Sequence, residues 1–480
     1  MVEYRIMESS NITPLFVDLD GTFVKTDLLF ESFMSSFKDN PLIVFYCFFW
    51  LLKGIPYLKN ELSKNADINV EKLPINPELL AFLLEEKSKG RKIYLATASN
   101  EKYAKLVVEC SDVFDGYLSS TESINLKGKN KLNRIKEISS SFSYAGNDGV
   151  DFDIFADAKE KILVNPSRSA RLKSASVNFD KTFDLQRAGF MTWVNQLRIH
   201  QWLKNLLIIV PLVVSGKFGD LNSIVTITMA FFAFSLLASS TYILNDLLDL
   251  ESDRNHVRKK NRPLAAGLIS IKQGIISGCI LFFTAVLISW YVGPEFSLVL
   301  VAYLVLTLLY SFKIKKYVGM DVVCLALLYT LRIIAGAAAI SVLVSFWLFA
   351  FSIFIFLSLA LVKRCSEIQT MQVEGKVRAS GRDYTIDDYA VLKSFGTSTA
   401  MLAVLMFCFY INNSVLTNQY QQPNILWLIV PALCYWLMRV WIKTHRGEMH
   451  DDPIVFSLKD RGSLVTIIFC GFVAILAQLV

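Results

Sequence analysis

Hydrophobic and polar positions are distributed differently in the two parts of the chain. Beyond about Gly189, long apolar runs alternate with shorter polar segments. Nine of these runs are close to the ~20 residues that a membrane-spanning helix needs, so we predict nine such helices. The runs cover residues 198–215, 224–244, 271–291, 296–312, 321–340, 342–362, 392–411, 425–441 and 464–480.

The polar segments between the apolar runs differ in charge. Segments after the second, fourth, sixth and eighth runs are rich in Lys and Arg, whereas the others are short or neutral. Basic loops remain on the cytosolic side of a membrane. The asymmetry therefore predicts a multi-pass protein of the inner cell membrane, with its N-terminus in the cytosol and its C-terminus on the outer side.

Before Gly189 the hydrophobic pattern is typical of a soluble α/β domain. Three short apolar strand patterns each run into a polar cluster, and helical patterns separate them. Because the carboxyl ends of parallel strands meet at one edge of a sheet, we predict a parallel sheet with a site at that edge. The predicted strands, each with the polar residues that follow it, are residues 15–17 with Asp18 and Asp20, residues 93–96 with Thr97, and residues 142–145 with Asp148 and Asp151.

Composition supports a division into two domains. Of the 480 residues 53% are hydrophobic, and the mean hydropathy of +0.43 is too apolar for a soluble protein of this length. We predict a domain at residues 1–165, a polar and basic linker at 166–188, and a membrane domain at 189–480. Residues 1–15 lack a basic region followed by an apolar one, so we expect no signal peptide and a cytosolic first domain.

The net charge of +7 is concentrated in the loops between the apolar runs. This placement indicates membrane topology and phosphate binding, and it argues against nucleic acid as a partner. The eight cysteines show no metal-binding spacing and most of them lie in apolar runs. We interpret them as small buried hydrophobic residues.

A further apolar segment, residues 41–52, lies inside the first domain. It is too short to span a bilayer comfortably. Two interpretations remain open for this segment. It is either a helix that lies against the membrane or the second domain, or a helix buried in the core of the first domain.

The polar stretch 241–267 lies between two apolar runs and carries a dense set of charged residues. Read as a helix, it places Asn245, Asp249 and Asp253 four residues apart on one face, with Asp246 beside them. Oxygen ligands stacked in this way can hold Mg²⁺, with waters and a substrate phosphate completing its shell. The alternative, a solvated cytosolic loop, explains the basic residues of this stretch but not its acidic ladder.

Three arginines, Arg254, Arg258 and Arg262, follow the acidic ladder within a short loop, and they can clamp phosphate oxygens. The sequence N-D-x-x-D-x-x-x-D, followed by this loop and R-P-L-A-A-G, resembles the first Asp-rich motif of the UbiA prenyltransferase superfamily. The resemblance implies an all-α, polytopic membrane domain. The residues that would hold one or two Mg²⁺ ions are Asn245, Asp246, Asp249 and Asp253.

Polar residues elsewhere in the membrane domain indicate which branch of the superfamily the chain resembles. A second D-x-x-x-D motif, typical of superfamily members with aromatic acceptors, is missing because Leu325 follows Asp321 at the fourth position. The chain is instead similar to the decaprenyl-phosphate phosphoribosyltransferase branch over nearly all of residues 198–480. Besides the three loop arginines, the implied substrate-binding residues are Arg198, Lys204, Asn205, Tyr310, Lys313, Asp321, Lys363, Arg364 and Tyr384.

Other polar residues of this domain are less specific. Arg332 lies well inside an apolar run, so we expect it to pair with Asp321 or with a substrate phosphate. Residues 450–452, which read His-Asp-Asp, belong either to the site or to an ordinary solvated loop. For Arg198 and Lys204, snorkelling cations of an interfacial aromatic belt are the alternative to phosphate binding.

The resemblance implies Mg²⁺-dependent transfer of 5-phosphoribosyl from phosphoribosyl diphosphate to a polyprenyl phosphate in the bilayer. The many Lys and Arg side chains among the implied ligands fit these substrates, because phosphoribosyl diphosphate carries a third phosphate and the acceptor is also anionic. One alternative is a prenyltransferase that moves a prenyl group from its diphosphate to a small acceptor. Another is a membrane-anchored phosphatase whose helical domain only binds lipid. The membrane domain could also form a homo-oligomer.

The polar clusters of the first domain resemble the motifs of the haloacid dehalogenase (HAD) phosphohydrolases. D-L-D-G-T matches their first motif, T-A-S the second, a lysine the third and G-N-D-x-x-D the fourth. The resemblance implies a Rossmann-like sheet with a cap, Asp18 as nucleophile, Asp20 as general acid and base, and Thr97 as a phosphate ligand. One Mg²⁺ ion would be held by Asp18, Asp20, Asp148 and Asp151.

The lysine of the third motif is either Lys131, which begins a helical pattern, or Lys127. A positive charge is needed because an anionic nucleophile attacks an anionic phosphate. Because the two domains are adjacent in the chain, our hypothesis is that the first domain removes the 5-phosphate from the lipid-linked phosphoribose, since tethering raises the effective concentration of the second step. A degenerate domain with only a structural role is the alternative.

Overall fold

The computed structural model describes residues 13–122, 124–184, 188–373, 375, 382–412, 420–449 and 452–479. The chain divides into two compact units. Unit 1 comprises Met1–Leu197 and Ile243–Ser277, and unit 2 comprises Arg198–Tyr242 and Gly278–Val480. The acidic ladder therefore groups with the N-terminal domain, whereas the sequence predicted that it belongs to a membrane domain beginning at residue 189.

Unit 1 is built on the parallel sheet that the strand patterns predict. Its six strands are β1 (Leu15–Val17), β2 (Ile93–Asn100), β3 (Gly116–Ser120), β4 (Ser143–Gly146), β5 (Lys161–Val164) and β6 (Lys181–Phe183). Their order across the sheet is β3-β2-β1-β4-β5-β6, and every neighbouring pair is parallel. Because β1 lies between β2 and β4, the polar residues that follow these three strands emerge at the same edge.

Both faces of the sheet are covered by apolar side chains. Leu15 and Val17 belong to one hydrophobic cluster and Phe16 to another, as expected for alternate residues of a strand buried on both sides. The helices of this part of the chain are α1 (Leu28–Asp39), α2 (Ile43–Leu52), α3 (Ile55–Asn65), α4 (Pro77–Ser88), α5 (Glu101–Glu109), α6 (Lys129–Ile138), α7 (Phe152–Asp157), α8 (Arg168–Ser174) and α9 (Phe190–Gln196), with a 3₁₀ helix at Val70–Lys72.

The segment predicted as a linker, residues 166–188, is instead part of the sheet domain through Asp184. It contains α8 and β6, and β6 pairs with β5. The segment was predicted as a linker because it is mostly polar. Its Phe183 nevertheless packs on the sheet domain, with its ring centre 5.5 Å from that of Phe82. The linker prediction is therefore wrong for this stretch, while residues 185–187 lie outside the described part of the chain.

Helix α2 distinguishes between the two interpretations of the apolar segment 41–52. The side chains of Phe45, Phe48 and Phe49 are 67%, 64% and 61% exposed, whereas Ile43 is buried. The segment is therefore not a buried core helix. It contacts α3, and most of its apolar surface faces outward.

Eight helices among the described residues are long and apolar enough to span a membrane. A ninth span results only if the bent pair Phe190–Gln196 and Ile199–Val214 counts as one. The predicted run 198–215 is thus not a single α-helix. Residues 199–209 form a 3₁₀ helix, and the 55° bend lies between Gln196 and Ile199, beside Arg198, whose φ of +52° is left-handed. The remaining α-helices are α10 (Val210–Val214), α11 (Leu221–Leu248), α12 (Leu250–Asn255), α13 (Ile271–Val292), α14 (Pro294–Phe312), α15 (Met320–Ala339), α16 (Phe346–Val373), α17 (Tyr389–Ile411), α18 (Ile429–His445), α19 (Pro453–Lys459) and α20 (Arg461–Leu479).

Short 3₁₀ helices complete the described secondary structure of the second part of the chain. One of them, Ile199–Ile209, packs closely against α15. A Cβ added at Gly336 of α15 would lie 2.1 Å from the carbonyl oxygen of Ile208, so only glycine permits this approach. The other 3₁₀ helices are Lys217–Gly219, Lys259–Asn261, Ile314–Lys316, Ile386–Asp388 and Pro423–Leu428.

A buried ion pair holds the segment 243–277 to the N-terminal domain within unit 1. Arg254 Nη2 lies 2.5 Å from Oε1 of Glu31, on the first turn of α1, and both side chains are less than a tenth exposed. Gly267, with φ of +69°, packs so tightly that an added Cβ would lie 2.8 Å from Cβ of Lys25. These contacts explain why the acidic ladder groups with unit 1.

Replacing Glu31 with Ala should destabilise unit 1, because the Arg254 guanidinium is then buried without its counter-charge. Removal of one partner of a buried ion pair costs about 3 kcal/mol. We expect a lower melting temperature for the purified Glu31→Ala protein in detergent, measured by thermal unfolding. The matched control is Glu85→Ala, which removes an exposed pair with Lys89 and should cost less than about 1 kcal/mol. Equal melting temperatures of the two variants would contradict this role of the Arg254 pair.

Candidate functional site

The acidic ladder lies at the junction of α11 and α12. The backbone N–H of Asp249 donates to the carbonyl of Asn245 at 2.9 Å, and that of Asp253 donates to Asp249 at 2.8 Å. The four-residue hydrogen-bonding repeat therefore continues through the junction, although α11 ends at Leu248. Asn245, Asp249 and Asp253 consequently follow one another along one side of the chain.

Arg262 lies between two carboxylates of this stretch. Its Nη1 is 3.0 Å from Asp246 Oδ1 and 2.5 Å from Asp253 Oδ2. Gln196 Nε2 donates a hydrogen bond to the other oxygen of Asp246 at 3.1 Å. Burial raises the pKa of Asp253 above its ordinary value, although Arg262 and Lys259 oppose the shift. Arg262, predicted as a phosphate clamp, therefore neutralises ladder carboxylates in this structure.

The ladder fits a hard divalent cation by the chemistry of its donors. Asn245, Asp249 and Asp253 offer oxygen atoms, which Mg²⁺ prefers. Asp253 Oδ1 is buried and accepts no hydrogen bond from the described residues, with Lys259 Nζ 3.8 Å away. Within the described ranges, no three or more His, Cys, Asp or Glu side chains are grouped closely enough to hold a metal ion. The structure thus presents the donors of the ladder without gathering three acidic side chains around one point.

In unit 2, Asp452 is the centre of a buried polar cluster. Its carboxylate accepts hydrogen bonds from Lys204 Nζ at 2.7 Å and from the Tyr329 hydroxyl at 2.8 Å, and Lys363 Nζ lies 3.6 Å away. Burial raises the pKa of Asp452, but attraction to Lys204 and Lys363 outweighs it and holds that pKa well below its usual range. Lys204 and Lys363, both predicted as phosphate ligands, therefore share one carboxylate. Residues 450 and 451, predicted with Asp452, lie outside the described part of the chain.

Arg332 pairs differently from the sequence expectation. Its Nε donates to Oδ1 of Asn205 at 2.8 Å, and its guanidinium lies 5.2 Å from the centre of the Tyr303 ring and 5.4 Å from that of Tyr329. The expected pair with Asp321 is therefore wrong. The tyrosine rings and the Asn205 amide oxygen therefore stabilise the charge of Arg332 among apolar helices.

Asp321 is the centre of the other cluster of unit 2 and is fully buried. Arg364 Nε lies 2.7 Å from its Oδ2, and the Tyr384 hydroxyl donates to its Oδ1 at 2.5 Å. Arg364 also donates to the Tyr310 hydroxyl at 3.1 Å and forms an ion pair with Glu367. Four predicted substrate-binding residues, Tyr310, Asp321, Arg364 and Tyr384, thus meet in one place.

Four other predicted ligands lie outside these two clusters. Arg198 stacks over the Tyr242 ring, with 4.8 Å between the guanidinium carbon and the ring centre, as in the interfacial alternative. Arg258 and Lys313 are exposed. Arg254, predicted to clamp phosphate, is instead engaged by Glu31 as described above.

Lys131 and Lys127, the alternatives for the third motif, have different partners in unit 1. Lys131 Nζ lies 2.7 Å from Asp18 Oδ1 and is almost fully buried. Lys127 is half exposed and lies 3.8 Å from Asp148. The Tyr144 hydroxyl is 3.0 Å from Lys131 Nζ, a contact that the sequence motifs did not indicate. Lys131 is therefore the lysine that neutralises Asp18.

Asp18 and Asp20 have raised pKa values because both are buried. Burial raises the pKa of Asp18 to about 6, against the attraction of Lys131. Burial, reinforced by the charge of Asp27, raises the pKa of Asp20 to about 7. Ser99 donates a hydrogen bond to Asp20, which opposes that shift. One carboxyl is thus easier to ionise than the other near neutral pH.

Thr97 and the fourth-motif residues surround the same edge of the sheet. Thr97 Oγ1 is buried and accepts the backbone N–H of Ser99 at 3.0 Å. Asp151 accepts the backbone N–H of Asp148 at 2.9 Å and thereby shapes the loop after β4. Burial raises the pKa of Asp148, but hydrogen bonds from the Gly149 N–H and two serines outweigh it and lower that pKa overall. Asp148 therefore stays ionised.

One contact of this edge was not anticipated from the motifs. Lys59 on α3 donates to the carbonyl of Ala98 at 2.6 Å. Burial lowers the pKa of Lys59, while the carboxylates of Asp20 and Asp27 oppose the shift. A lysine that follows the apolar segment 41–52 thus reaches the polar edge, and no motif marked it because its neighbours are non-local.

Comparisons with known proteins agree with the helical part of this picture. The sequence profile described as the UbiA prenyltransferase family matches residues 206–461, more than half of the chain. The uncharacterized protein y4nM of Sinorhizobium fredii is 36% identical over 454 residues, and the alignment covers 94% of this chain and 88% of y4nM. That similarity therefore extends through both units.

Two more distant similarities cover less of the chain. Decaprenyl-phosphate phosphoribosyltransferase of Mycobacterium tuberculosis is 32% identical over 197 residues, which are 40% of this chain and 65% of the relative. A UbiA homologue from Archaeoglobus fulgidus, solved with GPP and Mg²⁺, superposes with a TM-score of 0.46 at 18% identity, over 59% of this chain and 99% of that one. The family profile and the eight apolar helices identify a multi-pass membrane protein. The chain belongs to the UbiA prenyltransferase family.

Proposed function

We propose that the chain transfers 5-phosphoribosyl from phosphoribosyl diphosphate to a polyprenyl phosphate, with Mg²⁺ as cofactor. The observation that carries this proposal is the position of Asp321, which Arg364 and Tyr384 bind in place of a second acidic residue. A cation and carboxylate pair thus stands where aromatic-acceptor enzymes of the superfamily place a second acidic motif. The mycobacterial relative named decaprenyl-phosphate phosphoribosyltransferase supports the same substrate class.

The charges of unit 2 support anionic substrates. Lys204 and Lys363 share the single carboxylate of Asp452, so that cluster retains a positive charge. Exposed cations at Arg258 and Lys313 would add to the attraction of phosphate groups. Three phosphates on the donor and one on the acceptor require more positive charge than a prenyl diphosphate alone.

An apolar cavity of unit 2 supports a lipid acceptor. Its volume is about 500 Å³, and its walls include Leu203, Phe356, Leu433 and Trp436. Ile454 and Ser457 of α19, just after Asp452, line the same cavity. A polyprenyl tail in this cavity would bring its phosphate toward the cations around Asp452.

In the proposed reaction, the bond between ribose C1 and the diphosphate oxygen breaks and pyrophosphate leaves. A phosphate oxygen of the polyprenyl phosphate forms the new bond to C1. The acceptor oxygen is already anionic, so no strong general base is required. Asn245, Asp249 and Asp253 would hold Mg²⁺, which supplies neutralisation of the leaving group's charge. The protein would lie in the inner cell membrane, with the N-terminal domain cytosolic and the C-terminus outside.

Replacing Asp249 and Asp253 with Ala should reduce sugar transfer by at least about 100-fold, because the diphosphate loses its counter-charge. The assay incubates membranes with labelled phosphoribosyl diphosphate, Mg²⁺ and polyprenyl phosphate, and measures label in the lipid phase. The matched control is Glu251→Gln on the exposed side of α12, which should stay within about twofold of wild type. Unchanged transfer by the double variant would exclude the proposed role of the ladder. Transfer of a labelled prenyl group to a small acceptor would favour the prenyltransferase alternative.

We also propose that unit 1 hydrolyses a phosphate monoester, namely the 5-phosphate of the lipid-linked phosphoribose. The contact of Lys131 with Asp18 supports this role, since a buried cation offsets repulsion between a carboxylate and a phosphate. The HAD resemblance of the sequence motifs agrees with the contacts of Asp18, Asp20, Thr97 and Asp148. Mg²⁺ held beside Asp18 and Asp148 would supply further neutralisation.

The proposed hydrolysis proceeds in two balanced steps. A carboxylate oxygen of Asp18 attacks phosphorus, the bond to the ribose oxygen breaks, and protonated Asp20 gives its proton to the leaving oxygen. Water then attacks the aspartyl phosphate, Asp20 takes the water proton, and inorganic phosphate leaves. Asp20 is suited to both roles because its pKa of about 7 lies near the operating pH.

Purified protein given phosphoribosyl diphosphate and polyprenyl phosphate should release inorganic phosphate from the lipid product. Asp18→Asn should abolish this release, because an amide is not a nucleophile, while sugar transfer to lipid continues. The matched control is Asp153→Asn, an exposed residue of α7, which should retain phosphate release. Equal release by Asp18→Asn and wild type would contradict the nucleophile assignment.

The kcat/KM of phosphate release should depend on pH as a bell. Activity falls below about pH 6 as Asp18 becomes protonated, and it falls above about pH 7 as Asp20 loses its proton. Ser99→Ala removes a hydrogen bond that lowers the pKa of Asp20, so its alkaline limb should move to higher pH. A shift of that limb to lower pH would contradict Asp20 as the acid.

A further inference from the structure

Helix α2 carries an apolar stripe on its outer face. Phe45, Phe48, Phe49 and Leu52 follow the spacing of one helical face, and each is more than 60% exposed. No charged residue interrupts the helix. Exposure of several large hydrophobic side chains in one contiguous patch marks an interaction surface. We name these four residues the outer stripe.

The opposite face of α2 is packed within unit 1. Ile43, Cys47 and Trp50 recur at positions three and four apart and are less exposed than the outer stripe. The helix is ten residues long, about 15 Å, which is half of what the ~30 Å hydrocarbon core requires. The stripe is therefore anchored to the domain and unable to span a bilayer.

We infer that the outer stripe docks into the surface of a lipid bilayer, and that this places the edge around Asp18 and Asp20 next to lipid-linked substrate. This inference rests on the proposed phosphatase function for its substrate. The occupant is the bilayer because the same chain has eight helices that can span a membrane, which keeps unit 1 near a lipid surface. Apolar side chains without charges partition into the acyl boundary of that surface.

The ends of α2 have the residues of a membrane interface. Lys38 and Lys53 are exposed near its two ends, where they can meet anionic headgroups. The Tyr46 and Trp50 rings stack at 6.1 Å on the helix, and such amphipathic rings favour the headgroup level. The charges flank the outer stripe instead of interrupting it, as interfacial helices require.

The docked surface is connected to the candidate phosphatase edge through α3. This helix contacts both α2 and β2. Lys59 on α3 donates to the carbonyl of Ala98, the residue after Thr97. Helix α3 therefore connects α2, which carries the outer stripe, to strand β2, which contains Thr97. Docking of α2 would then set the distance between the candidate phosphatase edge and the lipid surface.

A photo-crosslinking experiment tests the occupant directly. The full chain, with photoreactive benzoylphenylalanine at Phe48, is reconstituted in nanodiscs of phosphatidylcholine and phosphatidylglycerol and irradiated. We expect phospholipid adducts on the α2 peptide by mass spectrometry. The control places the same group at Leu172, which is 79% exposed on α8, and should give few adducts. Crosslinks to a second copy, to another segment of the chain, or no excess of lipid adducts over the control would overturn the inference.

A kinetic experiment tests the consequence for the site. The triple variant Phe45→Ser, Phe48→Ser, Phe49→Ser in nanodiscs should lose at least about tenfold of phosphate release from the lipid product, because local presentation is lost. Its hydrolysis of p-nitrophenyl phosphate should stay within about twofold of wild type, which also shows that the domain is folded. Equal loss on both substrates, or loss on neither, would overturn the inference. Wild-type protein inactive on both substrates would instead remove the phosphatase proposal, while the crosslinking result would still decide whether α2 docks.

Discussion

An ion loses several kcal/mol of solvation when protein or lipid replaces the surrounding water, and only a nearby opposite charge or dipole offsets this loss. The candidate sites of both units are arranged around that requirement. In unit 2, Asp321 is matched by Arg364 and Asp452 by Lys204. In unit 1, Lys131 is matched by Asp18. Each pair fixes two elements that are distant in the sequence, so the balance of charge also determines where the helices and strands meet.

The same requirement gives each site its chemical character. A carboxylate that is already bound by a guanidinium and a hydroxyl, as Asp321 is, has little affinity left for a metal ion. The acidic ladder is different, because Lys259 Nζ lies 3.8 Å from Asp253 Oδ1, whereas Arg364 Nε lies 2.7 Å from Asp321 Oδ2. In unit 1, burial raises the pKa of both Asp18 and Asp20, and their charged neighbours separate the two: Lys131 lowers the pKa of Asp18, whereas Asp27 raises that of Asp20. The proposed roles of nucleophile for Asp18 and acid for Asp20 follow from these environments, since the two residues have identical side chains.

Local periodicity predicted those features that depend on neighbours in the sequence. Runs of about twenty apolar residues gave the spanning helices, and short apolar runs before Asp18, Thr97 and residues 146–148 gave three parallel strands. The four-residue spacing of Asn245, Asp249 and Asp253 is a property of the helix backbone and could be read directly. The motifs also identified Tyr310, Arg364 and Tyr384 as polar residues of interest, though not their common partner.

Features that depend on distant partners could not be predicted. Arg332 was expected to pair with Asp321 or with a substrate phosphate, yet it binds Asn205, which is 127 residues away in the chain. Strand β6 was not predicted, because Phe183, which packs against Phe82, is surrounded by polar residues in the sequence. The bend between Gln196 and Ile199 was not predicted either, because no Gly or Pro marks it in the sequence. In each case tertiary packing decided between local alternatives of similar plausibility.

The attachment of residues 243–277 to the N-terminal domain affects how this chain can be divided. Composition suggests a boundary near residue 188. Separation there would strip Arg254 of Glu31 and Gly267 of Lys25, so the membrane half would carry its acidic ladder on a loop without the surface that shapes it. A truncated chain that begins near residue 188 would therefore lack contacts that hold the acidic ladder in place.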